Sequence, residues 1–493
     1  MSATQTSTPS AARHAERDFD FDLICLGCGP GGEKAATQAA YFGHRVAIVE
    51  QCARPGGAMV NTGTVPSKAL RETALLCSAF NRRPIPGTDF RLDRSLSVPR
   101  FMAHRHLMEQ QEHDRIESAM DRHGIDVLHG RGRLIDAHTV EITPADGQPR
   151  RVRARFILIA TGSSPLRPSH VPFDKPNVVD ADGVLNVPRI PESMIIVGGG
   201  VIGCEYASIF AEMGVHITLI HNGESILPFV DAECRERLVE SLTLQEVDFV
   251  GNRSVATTPA PRSDGRRVEV TLDDGRMLAA QTLLWAAGRC SNTHDLGLES
   301  AGVKLGQRGL VIVDEHYRTN VPSIYAAGDV IGFPALAATS MEQGRIAACH
   351  MFGVGFKTRL ASIMPIGLYT IPAISMVGMS ADEARTKNMD VVIGRALYRD
   401  NVRGRMLGDE RGLLKCVFGG KSPHALLGAA VVGEDATELI HQAQMAIAAG
   451  FGIDYFIGAC FNYPSLSELF KYAAYSALQA MKAGADTARL RAA

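Results

Sequence analysis

Gly27-Cys28-Gly29-Pro30-Gly31-Gly32 decides the fold. These six residues follow the apolar run Leu23-Ile24-Cys25-Leu26 and open an Ala-rich stretch. A second apolar run, Val46-Ala47-Ile48-Val49, then ends at Glu50. Strand, glycine turn, helix and strand make a βαβ unit. Runs apolar at nearly every position suit a parallel sheet buried on both faces. Gly27, Gly29 and Gly32 form a G-x-G-x-x-G. Such glycines permit a tight turn, close approach of backbone to a pyrophosphate, and packing of helix on strand, while the helix N-terminus offers amide donors and positive dipole. Glu50 lies eighteen residues past Gly32, where an acid accepts hydrogen bonds from a ribose diol.

The same order recurs. Ile195-Ile196-Val197 leads into Gly198-Gly199-Gly200-Val201-Ile202-Gly203, an Ala-containing helix and Ile217-Thr218-Leu219-Ile220. Gly198, Gly200 and Gly203 repeat the spacing. The chain is therefore expected to be α/β, with two doubly wound (Rossmann-like) dinucleotide-binding domains. From Pro365 onward the pattern changes to α+β: strands near Leu413–Phe418 and Ala425–Val432, then helices near Thr437–Ala449 and Leu466–Lys482, the last opened by a capping box, Ser465-x-x-Glu468. In the second unit the position matching Glu50 is His221. No acid stands there to grip a 2′-hydroxyl and repel a 2′-phosphate, and no Arg to select the phosphate, so the corner reads as permissive toward both nicotinamide nucleotides.

The rest of the composition excludes other classes. With 493 residues and a formal net charge of −2, the chain has no electrostatic case for nucleic acid or an anionic membrane. Aromatic residues are 6%, with one Trp, so platforms for stacking bases are not expected. No apolar run approaches a membrane span. Residues 1–20 lack the apolar core of a secretory signal and read as a disordered lead, which points to the cytoplasm. Ten cysteines are too sparse for a disulfide scaffold and lack zinc-site spacing. The single C-x-x-C, Cys25 to Cys28, straddles the glycine turn and is expected to have no redox or metal role. His104, His106, His113 and His123 read as a polar helix face, not a metal site.

Together with the two βαβ units, Ala160-Thr161-Gly162, Gly288-Arg289-Cys290-Ser291-Asn292-Thr293 and Ala327-Gly328-Asp329 resemble the pyridine nucleotide–disulfide oxidoreductases, the family of lipoamide dehydrogenase and glutathione reductase. The resemblance covers about residues 20–485. It implies FAD on the first unit, NAD(H) or NADP(H) on the second, and a C-terminal dimerisation domain that makes a homodimer or a higher homo-oligomer. The implied division is an FAD-binding domain over 21–165 and 290–364, an NAD(P)-binding domain over 166–289 and a dimerisation domain over 365–485. Cofactor-binding positions would be Gly27, Gly29, Gly32, Glu50, Gly56, Gly57, Thr64, Lys68, Thr161, Gly162, Gly198, Gly200, Gly203, His221, Gly288, Arg289, Gly328 and Asp329, with Asp329 on the flavin ribityl chain. Lys68 would sit beside the flavin N5 edge, paired with Glu205; these two are the expected catalytic residues.

The departures decide the function. Where the disulfide enzymes carry two cysteines before Pro-Ser-Lys, this chain has Met59 and Thr64 ahead of Pro66-Ser67-Lys68. Neither forms a disulfide, so no thiolate passes electrons onward. The His-Pro that serves the thiols is matched by Tyr463-Pro464, and a phenol of pKa about 10 is a poor base near neutrality. Glu468, matching the acid that orients that His, is left to its cap. What remains moves hydride between nicotinamide and flavin. In Gly63-Thr64-Val65-Pro66-Ser67-Lys68-Ala69-Leu70, Val201-Ile202-Gly203-Cys204-Glu205-Tyr206-Ala207-Ser208-Ile209-Phe210 and Phe461-Asn462-Tyr463-Pro464 the chain resembles the soluble pyridine nucleotide transhydrogenases of this family, which implies that NADPH reduces FAD and NAD⁺ reoxidises it at one nicotinamide site. The competing readings are an NAD(P)H dehydrogenase that passes electrons to a quinone or other diffusible acceptor, and a non-catalytic flavoprotein scaffold.

Overall fold

The apolar runs flanking the glycine loops form strands, and each loop joins one strand to one helix. The computed structural model describes residues 18–82, 103–261, 267–419 and 424–492. They separate into two compact units. One contains residues up to 61, 110–164 and 290–360; the other contains 62–109, 165–289 and 361 onward.

In the first unit Phe21–Leu26 lies inside a seven-stranded sheet. Val46–Glu50 pairs with it in parallel on one side and Arg150–Ile159 on the other, so Cys25 faces both Ile48 and Leu158. Asp126–His129 and Ile324–Ala326 extend the parallel part, and Thr139–Thr143 and Arg131–Leu134 continue it antiparallel. Every residue of Val46–Glu50 is buried, as a strand covered on both faces requires. Helix Pro30–Tyr41 starts with Gly29 as its N-cap and Pro30 in the first turn, where the missing amide costs nothing. Helix Ala337–Met351 packs on it so closely that a Cβ on Gly344 would lie 2.2 Å from the Gly31 carbonyl oxygen. Asp20 already belongs to this unit, exchanging hydrogen bonds with the Arg153 backbone; the rest of the expected lead, up to residue 17, lies outside the described residues.

In the second unit five parallel strands run in the order Val247–Val250, His216–Ile220, Ser193–Val197, Thr282–Trp285 and Val178–Asp180. Its C-terminal part is a five-stranded antiparallel sheet centred on Ala425–Gly433, packed by helices Ala436–Ala449 and Glu468–Ala492. The Ser465–Glu468 capping box does not form. The helix begins at Glu468, and the Ser465 hydroxyl accepts the Ser467 amide instead. The Asn401 amide holds the Ser465 carbonyl at 3.0 Å, which keeps Ser465 in the preceding turn. The histidine-rich helix Ala103–His123 also departs from expectation. His113 is buried with Ile116 and Met120 on one face and reaches Asn61 Oδ1 at 2.9 Å, so it is not part of a polar surface. Among the described residues no helix is long and apolar enough to cross a membrane.

Candidate functional site

The first unit builds a cradle at the C-terminal ends of its parallel strands. Gly27 has φ +101°, and a Cβ there would lie 2.5 Å from the Ala160 carbonyl oxygen; one on Gly32 would lie 2.0 Å from the Gly27 carbonyl oxygen. These two glycines close the turn and seat the helix on the strand. Gly29 is different. A Cβ there would meet nothing nearer than 3.8 Å, so its backbone faces open space. No side chain caps the helix that follows, leaving its first amides for an anion. Glu50 is buried and doubly anchored: Oε2 accepts the Cys28 amide at 2.7 Å and Oε1 the Cys52 amide at 2.8 Å. Each oxygen keeps a lone pair for a hydroxyl. Gly56 and Gly57 close on this loop, with the Gly56 amide donating to the Cys28 carbonyl and Gly57 against Gly29.

Around the same strand ends stand Thr161, Gly162, Gly328 and Asp329. Asn292 ties the first two down: its carbonyl accepts the Thr161 hydroxyl at 2.8 Å, its side-chain amide donates to the Thr161 carbonyl at 2.9 Å, and its backbone amide donates to the Gly162 carbonyl at 3.0 Å. Asp329 opens a short 3-10 turn and accepts the Ser163 hydroxyl at 2.7 Å. The Gly328 amide donates to Gln343. Glu33, in the first turn after the glycine loop, is 1% exposed. Lys34 and Arg115 share its Oε1, and its Oε2 has no partner among the described residues. An open glycine, an uncapped helix, an anchored acid and an orphaned buried oxygen suit a dinucleotide with hydroxyl and phosphate groups. Ser163, Asn292, Gln343 and Glu33 were not singled out as site residues from sequence. Only Asn292 had a signal, its place in the quoted motif.

The second unit repeats the device. Gly198 has φ +124° and would clash through a Cβ with the Ala286 carbonyl oxygen at 2.4 Å. Gly203 would clash with the Gly198 carbonyl oxygen at 1.9 Å, and nothing lies within 4 Å of a Cβ on Gly200. Gly200 caps helix Val201–Glu212 with no side-chain bond. His221 directly follows the neighbouring strand, His216–Ile220, and is buried. Gly288 and Arg289 also fall in this unit, as do Thr64 and Lys68. Gly288 has φ +128°, and its carbonyl accepts the Leu166 amide. Burial pushes the Asp182 carboxyl up, against the nearby Arg289 cation.

Lys68 and Glu205 meet as the sequence reading expects. Lys68 Nζ lies 2.8 Å from Glu205 Oε2 and 4.9 Å from the centre of the Tyr369 ring. Glu205 Oε1 accepts the Tyr369 amide at 2.9 Å. Glu205 is almost fully buried and Lys68 a quarter exposed, so the carboxylate is the fixed half and the ammonium the half that a ligand reaches. Tyr369, 164 residues beyond Glu205, left no local signal.

No dithiol stands ready to take electrons. Met59 packs against the core of the first unit, and Thr64 is the exposed first residue of helix Thr64–Arg82. All ten cysteines are free. Cys25 and Cys28 are buried; burial drives the Cys25 thiol far up and the Cys28 thiol to about 12. Tyr463 is 69% exposed.

Comparison with known proteins agrees with this arrangement. The family model described as pyridine nucleotide-disulphide oxidoreductase matches residues 21–344, and its dimerisation domain matches 364–474. The soluble pyridine nucleotide transhydrogenase of Mycobacterium tuberculosis is 39% identical, covering 94% of this chain and 98% of that protein. The protein of that name from Colwellia psychrerythraea is 37% identical over 94% of this chain and 99% of its own. Among solved structures, LpdA from Mycobacterium tuberculosis superposes with a TM-score of 0.84 at 29% identity, covering 92% of this chain and 98% of that one. The HOCl-induced flavoprotein disulfide reductase RclA from Escherichia coli superposes with a TM-score of 0.82 at 27% identity, covering 92% and 99%. The chain belongs to the pyridine nucleotide-disulphide oxidoreductase family.

Proposed function

We propose that the chain is an FAD-dependent NAD(P)⁺ transhydrogenase that runs NADPH + NAD⁺ = NADP⁺ + NADH by a ping-pong cycle, using one nicotinamide site twice. The carrying observation is that both dinucleotide cradles are intact while Met59 and Thr64 stand where a redox disulfide would lead electrons away. The transhydrogenase names of the relatives support the same reading.

FAD, when bound, supplies the two-electron relay between the two nicotinamides. Gly29 and the open end of helix Pro30–Tyr41 would hold its pyrophosphate, Glu50 its adenosine ribose and Asp329 its ribityl chain. Gly200 and the start of helix Val201–Glu212 would hold the nicotinamide dinucleotide's pyrophosphate. Lys68, anchored by Glu205, offers a fixed positive charge to the negative charge that arrives with a hydride. Glu205, held in turn by the Tyr369 amide, keeps that ammonium from relaxing toward water. With no dithiol and no His-Pro base, the residues provide no second outlet. We place the enzyme in the cytoplasm as a homodimer. The dimerisation-domain match and the exposed Met445, Tyr455, Tyr463 and Tyr475 support the dimer.

Anaerobic stopped-flow on FAD-loaded protein tests the proposal. The flavin is reduced with NADPH, then mixed with thio-NAD⁺ or with a soluble quinone. Fast reoxidation by the nicotinamide, matching steady-state turnover, is the expected result. Slow reoxidation by thio-NAD⁺ with fast reoxidation by quinone would replace it with the NAD(P)H dehydrogenase.

A further inference from the structure

Beside the outer corner of the second glycine loop runs the main chain of Arg253, which the local sequence around His221 does not reveal. Dinucleotide folds that select NAD place an acid at this strand end for the 2′-hydroxyl, and those that select NADP place an Arg nearby for the 2′-phosphate. His221 does neither. Its side chain is wedged between two glycines: a Cβ on Gly199 would lie 2.8 Å from the His221 Cβ, and one on Gly251 would lie 3.1 Å from its Nε2. Burial pushes the imidazole below its usual range, against an opposing hydrogen bond with the Gly223 backbone.

The backbone then ties this corner to a second turn. The Asn252 amide donates to the Gly223 carbonyl at 3.1 Å, and the Arg253 amide to the His221 carbonyl at 3.1 Å. The main chain of Arg253 is thus fixed beside the position where a 2′-substituent is read. Its guanidinium is engaged elsewhere: Nε donates to Asp274 Oδ2 at 2.7 Å and Nη1 to the Asn252 carbonyl at 2.7 Å, with Asp273 at 3.8 Å. Asp274 has other donors, the Arg276 amide at 3.1 Å and Nε at 2.8 Å. It would keep them if Arg253 turned away. Despite an opposing desolvation, these guanidinium and amide donors hold the Asp274 carboxyl down at about 2, so it is ionised at every working pH. An exposed carboxylate pair is weak and easily exchanged, whereas a phosphate brings more charge and more acceptor oxygens to the same guanidinium.

We propose that Arg253 is the specificity-determining residue for the 2′-phosphate of NADP(H), and that Asp274 takes its guanidinium whenever the 2′ position bears a hydroxyl. This rests on the transhydrogenase reading and deepens it. An enzyme that must accept both nucleotides at one site gains from a cation that is available to a phosphate and neutralised without one. An acid at position 221 would repel NADPH, and an unpaired Arg would favour it throughout.

The test uses the FAD-loaded full chain and two probes, adenosine 2′,5′-bisphosphate and 5′-AMP, titrated by calorimetry. The wild type binds the bisphosphate more tightly. Arg253→Ala lowers that preference about 10- to 100-fold, the range for one hydrogen bond to a charged group. Arg253→Lys restores part of it, and Asp274→Asn raises it several-fold by freeing the guanidinium. The ratio of flavin-reduction efficiencies for NADPH over NADH, followed by stopped-flow, moves in the same directions. A preference unchanged in both Arg253→Ala and Asp274→Asn, or a loss shared equally by the two probes, overturns the proposal. Failure of both nicotinamides to reduce the wild-type flavin would overturn the transhydrogenase reading instead, while the two titrations would still judge Arg253.

Discussion

Lys68 and Glu205, 137 residues apart in the chain, are joined by a 2.8 Å ion pair, and the second oxygen of the same carboxylate is taken by the Tyr369 amide. The pair is asymmetric, because Glu205 is buried and Lys68 is partly open. Replacing Lys68 by Met leaves a buried carboxylate with one partner and removes the charge offered to the arriving hydride. The rate of flavin reduction by NADPH should fall about 100-fold, the usual cost of losing one electrostatic stabiliser. Glu205→Gln keeps an acceptor for the Tyr369 amide and loses the charge that anchors Lys68, so its loss should be smaller, about tenfold. Because both act through one ammonium, the double variant should be no worse than Lys68→Met. Additive losses in stopped-flow would show that the two residues work separately.

The glycines of the first loop should part company under substitution. An Ala side chain at position 32 would lie 2.0 Å from the Gly27 carbonyl oxygen, whereas one at 29 meets only the Gly57 Cα at 3.8 Å. Gly32→Ala should fail to fold or aggregate. Gly29→Ala should keep the circular dichroism and melting behaviour of the apoprotein yet bind FAD at least about tenfold more weakly, roughly 1.4 kcal/mol, because its methyl group occupies the space kept for a pyrophosphate. Flavin content per chain after purification separates the two cases. Full flavin content in Gly29→Ala would mean that the cradle is not used as argued.

What could be read from sequence was what depends on short-range pattern. Both βαβ units followed from apolar runs on either side of a glycine turn, because a strand buried on both faces must be apolar throughout. Glu50 was legible because its distance from Gly32 is set by one helix and one strand. The capping box at Ser465 was a local pattern too, yet it did not form: Asn401, 64 residues away, holds the Ser465 carbonyl. His113 differs from its local reading for a similar reason, since it shares a helix face with Ile116 and Met120, which pack into the first unit's core. Tyr369 and Ser163 join segments far apart in the chain, so no spacing announces them. Lys68 and Glu205 came from family resemblance, not from any periodicity that links them.

Dithiol chemistry should be absent. Cys25 and Cys28 are buried with thiols held too high to ionise near neutrality, and the positions matching the redox pair are Met59 and Thr64. The thiolate is the reactive form. Phenylarsine oxide, which captures vicinal dithiols, should leave nicotinamide-to-nicotinamide turnover within about twofold, and lipoamide should not be reduced. Inhibition that follows the arsenical stoichiometrically would point to a reactive cysteine pair and against the relay described above.

The second unit's nucleotide-binding and C-terminal parts are joined by a charged cluster whose loss should depend on pH. Lys415, on strand Leu413–Gly419, lies 2.8 Å from both Asp231 and Glu233, and Arg395 grips Glu233 with two bonds of 2.7 Å. Lys415 and Asp231 are both buried. Asp231 also caps helix Ala232–Leu244 by accepting the Glu233 and Cys234 amides. Lys415→Met would leave a buried carboxylate without its cation and should destabilise the protein by about 3–5 kcal/mol. Arg395, and then Lys415, hold the Glu233 carboxyl down at about 2, from an ordinary value of 4.5. A depressed carboxyl contributes stability that is complete above its unfolded value and disappears as pH falls through its folded one. Glu233→Gln should therefore melt several degrees below the wild type at pH 7. That gap should narrow as pH drops below about 4.5 and close near pH 2. Calorimetric scans of both proteins across that range decide the matter: a gap that stays constant with pH would mean that Glu233 contributes through packing and not through its charge.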